Sequence, residues 1–207
     1  MDLMKEFEDN HFDLAIVDPP YGSNDAVDIR NAKGHKQKRK AYRQFENVAP
    51  DPEYFAELRR VSRGQIVWGG NHFGLKGGAI FWQKVYDTNK GVPFGEGEIA
   101  HVSFQNKVTI FKFVWQGCWQ GNMKDFEKRI HPTQKPIQLY KWLLANYAKP
   151  GQRILDTHMG SGSIAIACHY FGAHLTACEI DKDYFRAACE RIERATRQAT
   201  LWEGAMP

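Results

Sequence analysis

From Arg153 the chain reads RILD, then THMGSGS, then an apolar stretch from Ile164 to Tyr170, then HLTACEI, and finally a helix-length segment from about Asp183. Strand, glycine loop, helix, strand, helix is a βαβ pattern, and it commits the chain to an α/β fold. Gly160 and Gly162 stand between a strand end and a helix start, where missing side chains let a ligand approach the backbone and the helix N-terminus. Glu179, at the end of the next strand, is placed to hydrogen-bond the two hydroxyls of a ribose. A G-x-G alone is equally explained by a tight turn packed on its helix; the spacing to Glu179 tips the reading toward a nucleoside-containing cofactor. A dinucleotide would normally want a third glycine where this chain has Ala165, and alanine is tolerated there, so the loop leaves the cofactor open.

The rest of the chain supplies further strands and helices. Phe12 to Val17 has strand length, and Pro19 biases Asp18 toward extended backbone, so the strand ends there. Asp51-Pro52 reads as an N-cap followed by proline at the first helical position of a helix running through about Val61. GQIVWGGNHF is a strand that stops at Gly69-Gly70, and AIFWQK, EIAHVSF and VTIFKFVW are three more, with an antiparallel pair among them. Pro136 opens a helix with Ile137, Tyr140, Leu143, Leu144 and Tyr147 on its apolar face, closed by Lys149-Pro150-Gly151. The last helix is expected to bury Phe185, Ala188, Ile192 and Ala195.

The strand LAIV runs into Asp18-Pro19-Pro20-Tyr21, and this tetrapeptide carries chemistry. Ligands of open α/β sheets bind beyond the carboxyl ends of the strands, where both Asp18 and the glycine loop fall. The Asp18 carboxylate can accept one N–H of a planar amino group, and the carbonyl of Pro19 can accept the other. Tandem prolines fix the acceptors in advance, and Tyr21 is free to lie against a heteroaromatic ring. Two acceptors favour rehybridisation of a delocalised amine toward sp3, so attack on an electrophilic methyl group proceeds directly and needs no cysteine nucleophile. The bland account of the same four residues is a rigid turn after a strand.

Composition excludes several classes. The chain has 207 residues, 43% hydrophobic and 25% charged, which suits one globular domain, 1–207. It has no long apolar run and no secretory leader, so a cytoplasmic protein away from membranes is expected. Cys118, Cys168, Cys178 and Cys189 form no C-x-x-C and are expected to be reduced core residues; no metal is expected. The formal charge of +4 is mild, yet Arg30, Lys33, Lys36, Lys38, Arg39, Lys40 and Arg43 crowd one loop, 22–47. That run is either a solvated loop or a set of phosphate contacts.

These residues together resemble the amino-group DNA methyltransferases that use S-adenosylmethionine, of the N6-adenine and N4-cytosine type. DPPY at Asp18 to Tyr21 resembles the catalytic motif, HPTQKP at His131 to Pro136 the segment before the cofactor strand, and DTHMGSGS with CEID the cofactor loop and ribose acid. The order, catalytic motif first and glycine loop last, is similar to the permuted β class, and WGGNHF with EIAHVSF adds likeness to a compact phage-type subgroup. The resemblance implies a doubly wound Rossmann-like fold with a mostly parallel twisted sheet and an antiparallel hairpin. It implies a catalytic set of Asp18, Pro19, Pro20 and Tyr21. It implies that Asp156, His158, Gly160, Ser161 and Gly162 line the cofactor's methionine end, that Glu179 holds its ribose, and that Thr133, Gln134 and Lys135 lie on its methionine side. For Lys135, a role in helix entry before Pro136 is the competing account, and His131 and His158 are expected to be hydrogen-bonding loop residues rather than bases or metal ligands.

Two departures accompany the likeness. Thr157-His158 stands where many relatives have Pro-Phe, which makes one wall of the cofactor site more polar. The opening segment resembles the middle of a familiar pattern, so a further strand and loop ahead of it are expected. With double-stranded DNA as substrate, the target base must flip out of its stack. The basic loop then becomes a phosphate or groove contact, and 85–97 becomes a target-recognition segment. Relatives are often dimers, so a homodimer is a candidate assembly. DPPY leans toward adenine; N4-cytosine, RNA or protein amide nitrogen, and a catalytically silent nucleic-acid-binding subunit are the alternatives. A nicotinamide oxidoreductase leaves DPPY and HPTQKP unexplained.

Overall fold

A computed structural model describes residues 2–22, 47–85, 95–116 and 119–203, with side chains as far as 197. The elements, in chain order, are α1 (Asp2–Lys5), β1 (Leu14–Val17), α2 (Pro52–Val61), β2 (Gln65–Trp68), a 3-10 turn (Gly70–His72), β3 (Gly78–Gln83), β4 (Gly97–Val102), β5 (Val108–Lys112), β6 (Trp115–Gln116), β7 (Trp119–Gln120), α3 (Ile137–Tyr147), β8 (Arg153–Asp156), α4 (Ser163–Phe171), β9 (His174–Ala177) and α5 (Lys182–Glu203).

Seven strands form one sheet in the order β5-β3-β4-β2-β1-β8-β9. Every pairing in it is parallel except those of β4, which runs against both β2 and β3. From β1 the chain crosses through α2 to β2 on one side, and from β8 through α4 to β9 on the other. Strand order therefore reverses between β1 and β8, and the crevice beyond their carboxyl ends is where such sheets bind ligands. The expected mostly parallel sheet with one antiparallel hairpin is the sheet observed.

Alternation along β1 explains its four buried residues. Leu14 and Ile16 enter a core with Trp68, Trp82, Leu139, Leu143, Ile154 and Ile164 under α3 and α4. Ala15 and Val17 enter a second core with Met4, Phe55, Leu58 and Val61 under α1 and α2. A strand covered on both faces has no polar side, which is why LAIV is a continuous apolar run. At α2, the side chain of Asp51 accepts from the N–H of Tyr54 at 2.9 Å, and Pro52 follows as expected.

Three expectations change in detail. VTIFKFVW is broken at Lys112, and Trp115 and Gln116 form a separate two-stranded ladder with Trp119 and Gln120. On α5, Phe185 is 46% exposed and Tyr184 faces inward with Ala188 and Arg191. Ala188 is buried and Ile192 packs against the core as expected, so the departure is that Tyr184 replaces Phe185 on the inner face and Arg191 joins it. Of the cysteines, Cys168 is buried, Cys178 and Cys189 are half-buried, and all three are free; Cys118 lies outside the described residues.

Candidate active site

Three parallel strands and one reversed strand bring charge to a single edge of the sheet. Asp18 follows β1 and Asp156 ends β8, its pairing partner. Lys84 follows β3. Because β4 runs the other way, its beginning lies at this same edge, with Glu98 opposite Trp82 of β3. The sheet thus gathers three carboxyl groups and an ammonium beyond its core, and the HPTQKP segment adds another ammonium from Lys135.

Lys135 is 5% exposed, and its Nζ lies 2.5 Å from Asp18 Oδ2 and 3.0 Å from Glu98 Oε2, above the ring of Trp68. Lys84 Nζ holds the other oxygen of Glu98 at 2.7 Å. Burial raises the carboxyl of Asp18 above its ordinary range, against the pull of Lys135. Burial acts on Glu98 in the same direction, but Lys135 and Lys84 overcome it and hold this carboxyl down at about 2. Burial disfavours the charge on Lys135, and Asp18 and Glu98 outweigh it, so its ammonium is held more firmly than usual. The ammonium of Lys135, a residue expected on the methionine side of a cofactor, sits on the acid of DPPY.

Tyr21 donates its hydroxyl to Asp18 Oδ1 at 2.9 Å, and its ring stacks on His72 with centroids 4.9 Å apart and planes 12° from parallel. Burial, followed by the charge of Asp18, keeps this phenol protonated. Gly69 makes the arrangement feasible. Its φ is +70°, and a Cβ there would lie 2.2 Å from the Tyr21 ring. Pro19 is buried and Pro20 half-buried beside it.

At the neighbouring strand end, Asp156 is 1% exposed and accepts from the N–H of His158 at 2.9 Å. Burial, with Asp18 and Glu179 nearby, raises its carboxyl to about 7. Glu179 accepts from the N–H of Gly160 at 2.9 Å and of Asp181 at 3.0 Å, which draws the loop and the end of β9 together. Gly162, with φ +73°, caps α4 without a side-chain bond. A Cβ at Gly162 would meet Ile192 of α5 at 2.9 Å.

The loop is clamped from α5. Arg191 is 9% exposed and donates to the carbonyl of Ser161 at 2.8 Å, to Ser163 Oγ at 3.0 Å, and to Glu127 Oε2 at 2.7 Å. Ser163 Oγ in turn donates to the carbonyl of Lys135 at 2.7 Å. His131 Nδ1 bonds the Thr133 hydroxyl, and burial lowers its imidazole to about 4. Thr157 and His158 are linked in a chain from Tyr54 Oη through Thr157 Oγ1 (2.6 Å) to His158 Nδ1 (2.9 Å), and burial likewise lowers His158 to about 4. Both histidines are hydrogen-bonded loop residues and neutral at pH 7.

Of the expected residues, Thr133 is exposed, whereas Gln134 is buried, its side-chain oxygen accepting from the N–H of Ile130. Arg30, Lys33, Lys36, Lys38, Arg39, Lys40 and Arg43 lie outside the described residues, as do positions 86–94 of the segment 85–97. Glu98, Lys84, His72, Tyr54, Arg191 and Glu127 were not anticipated. An acid opening a strand otherwise rich in β-branched and apolar residues, as in EIAHV, is the signal that could have found Glu98.

A family model described as DNA methylase matches residues 86–190, half of the chain. The chain belongs to this family of N6/N4 DNA methylases. Over 215 aligned positions it is 25% identical to the putative methylase YubD of Escherichia coli K12, covering 98% of this chain and 90% of that one. Its fold is similar to that of the M1.HpyAVI–SAM complex (TM-score 0.57, 19% identity, 92% and 94% of the two chains). It is also similar to the cytosine-N4-specific PvuII DNA methyltransferase (TM-score 0.58, 12% identity, 94% and 86%). No helix among the described residues is long and apolar enough to cross a membrane.

The methyl donor of this methylase family is S-adenosylmethionine, and the residues at the strand ends suit it. The buried amide nitrogen of Gln134 has no partner among the described residues, a donor suited to a carboxylate. Asp156 offers a buried acceptor for an ammonium, Glu179 an acceptor pair for ribose hydroxyls, and the uncapped start of α4 offers backbone N–H groups. When bound, S-adenosylmethionine supplies an electrophilic methyl group on sulfur.

Proposed function

We propose that this methylase transfers a methyl group to the N6 amine of an adenine flipped out of double-stranded DNA. The observation that carries the reading is the position of Asp18. Its half-buried carboxylate ends the strand next to β8, so the amine acceptor and the glycine loop share one crevice. Asp18 Oδ1 and the Pro19 carbonyl accept the two N–H bonds of the amine, which draws its lone pair out of conjugation. As the nitrogen gains a methyl group it gives up one proton, which Asp18 is placed to accept. The Tyr21 ring, backed by His72 and kept flat by Gly69, provides the stacking face for the flipped base.

Asp rather than Ser before Pro-Pro-Tyr favours adenine over cytosine. The seven basic residues from Arg30 to Arg43 are the proposed phosphate contacts, 85–97 the proposed recognition segment, and a homodimer the proposed assembly. Incubating the purified chain with duplex DNA and isotopically labelled S-adenosylmethionine, then digesting to nucleosides, tests the target atom. Label in N6-methyl-2′-deoxyadenosine supports the reading. Label in N4-methyl-2′-deoxycytidine, or in protein rather than DNA, overturns it.

A further inference from the structure

We infer that Lys135 is the positioning residue for Asp18, and that Glu98 holds Lys135 in that role. The inference rests on the methylation reading for its purpose and on the geometry for its substance. Lys135 is tied at both ends. Its backbone carbonyl accepts from Ser163, the first residue of the helix that follows the glycine loop, and its ammonium reaches Asp18 across the crevice. It therefore links the loop of the cofactor site to the acid of the amine site.

The ammonium is also fully sandwiched. Asp18 and Glu98 flank it, the Trp68 ring lies on one side, and Glu98 is pinned from behind by Lys84. Two half-buried carboxylates and two ammoniums balance in charge. The division of labour follows from the atoms used. Lys135 takes Oδ2, and Oδ1, which already accepts from the Tyr21 hydroxyl, keeps a second lone pair to meet the amine. An Asp18 that accepted a proton before substrate arrived would present a hydroxyl and could not receive an amine N–H at that oxygen. Lys135 maintains the acceptor form, and Glu98, a like charge nearby, works against it while fixing the lysine in place.

Among the described residues, the other groups coupled to Asp18 are Tyr21 on its own loop, Asp156 at the end of β8, Tyr140 on α3 and Tyr54 on α2. All of them remain in variants of Lys135 or Glu98, so the two changes shift the Asp18 titration in opposite directions. That opposition separates positioning from simple structural support, which would give the same sign for both.

The test is a carbon-detected NMR titration of the Asp18 carboxyl in isotope-labelled chain, assigned with D18N, alongside calorimetric S-adenosylmethionine binding and the pH profile of single-turnover methyl transfer to DNA. K135M should raise the Asp18 midpoint by about one pH unit or more and carry the acid limb of the rate with it, while cofactor affinity stays unchanged. E98Q should lower the midpoint, and K135R should restore it to near the parent value. Midpoints that stay fixed or move together overturn the inference, as does K135M losing cofactor affinity with Asp18 unmoved. Should K135M fail to fold, E98Q and K135R decide: a lowered midpoint in E98Q sustains the inference and an unchanged one ends it. A parent chain that transfers no methyl group to DNA overturns the methylation reading instead, and the midpoints still judge Lys135.

Discussion

Replacing Arg191 with methionine removes a buried charge while keeping most of the hydrophobic stem. Three partners lose their donor: Glu127 Oε2 at 2.7 Å, the Ser161 carbonyl at 2.8 Å and Ser163 Oγ at 3.0 Å. The Glu127 carboxylate keeps only the N–H of Ile137 among its described donors. Breaking a buried pair from one side costs about 3–5 kcal/mol, because the remaining ion has lost its counter-charge. At about 2–4 °C per kcal/mol for a chain of this size, the melting temperature falls by about 6–20 °C. The freed Ser161 carbonyl loosens the glycine loop, so S-adenosylmethionine binding weakens by about tenfold, or about 1.4 kcal/mol. The double variant E127Q/R191M removes the uncompensated charge and recovers part of the stability, with a coupling energy of about 1 kcal/mol or more. Denaturant unfolding and calorimetry read both effects. A cost below about 1 kcal/mol for R191M, with coupling inside the additivity range of about 0.3–0.5 kcal/mol, would refute the clamp.

Other perturbations give separate signatures. G69A places a Cβ against Tyr21 and a left-handed backbone on alanine, which itself costs about 1–2 kcal/mol; methyl transfer should collapse while cofactor affinity holds, as single-turnover assays and calorimetry would reveal. Asp156 has a folded-state carboxyl raised from 3.8 to about 7, so the folded chain retains a proton that the unfolded chain releases. Its contribution to stability is therefore full at low pH and declines as pH rises from about 4 to about 7. D156N should gain stability relative to the parent across that window, by urea unfolding at each pH, and an unchanged difference would count against the buried acid. His131 and His158 act oppositely, since their lowered imidazoles favour the folded chain above 6.5 and lose that contribution as pH falls toward about 4. Alanine at Lys38, Arg39 and Lys40 together should lower the salt slope of DNA binding by about 3, at about 0.9 per phosphate contact; an unchanged slope removes this loop from the interface.

Legibility followed the range of the interactions. The start of α2 was readable because Asp51 caps a helix three residues away and Pro52 presets its first turn. The glycine loop and Glu179 were readable for the same reason, as neighbours within one βαβ unit. An antiparallel pair is legible in the sequence, but which strand reverses depends on the pairings of β4 with β2 and β3 that no local pattern encodes, and so does the delivery of Glu98 to the carboxyl edge. Lys135 was assigned to the cofactor because its motif is; its side chain crosses to Asp18, 117 residues earlier. Ala188 and Ile192 lie on the inner face that their spacing indicates, but Phe185 gives way to Tyr184 beside Arg191, whose charge Glu127 neutralises from a segment far away in sequence.

In the proposed mechanism Asp18 serves the amine from the end of β1, while Glu179 serves the cofactor from beyond β9, on the far side of β8. The most direct measurement pairs S-adenosylmethionine binding with single-turnover methyl transfer to duplex DNA for D18A and E179A. D18A should bind the cofactor as the parent does and lose about a hundredfold or more in transfer rate, the scale of a removed positioned acid–base group. E179A should lose cofactor affinity first and recover transfer when S-adenosylmethionine is raised to saturation. A D18A variant that transfers methyl groups at the parent rate, or that fails because it no longer binds the cofactor, would contradict the account.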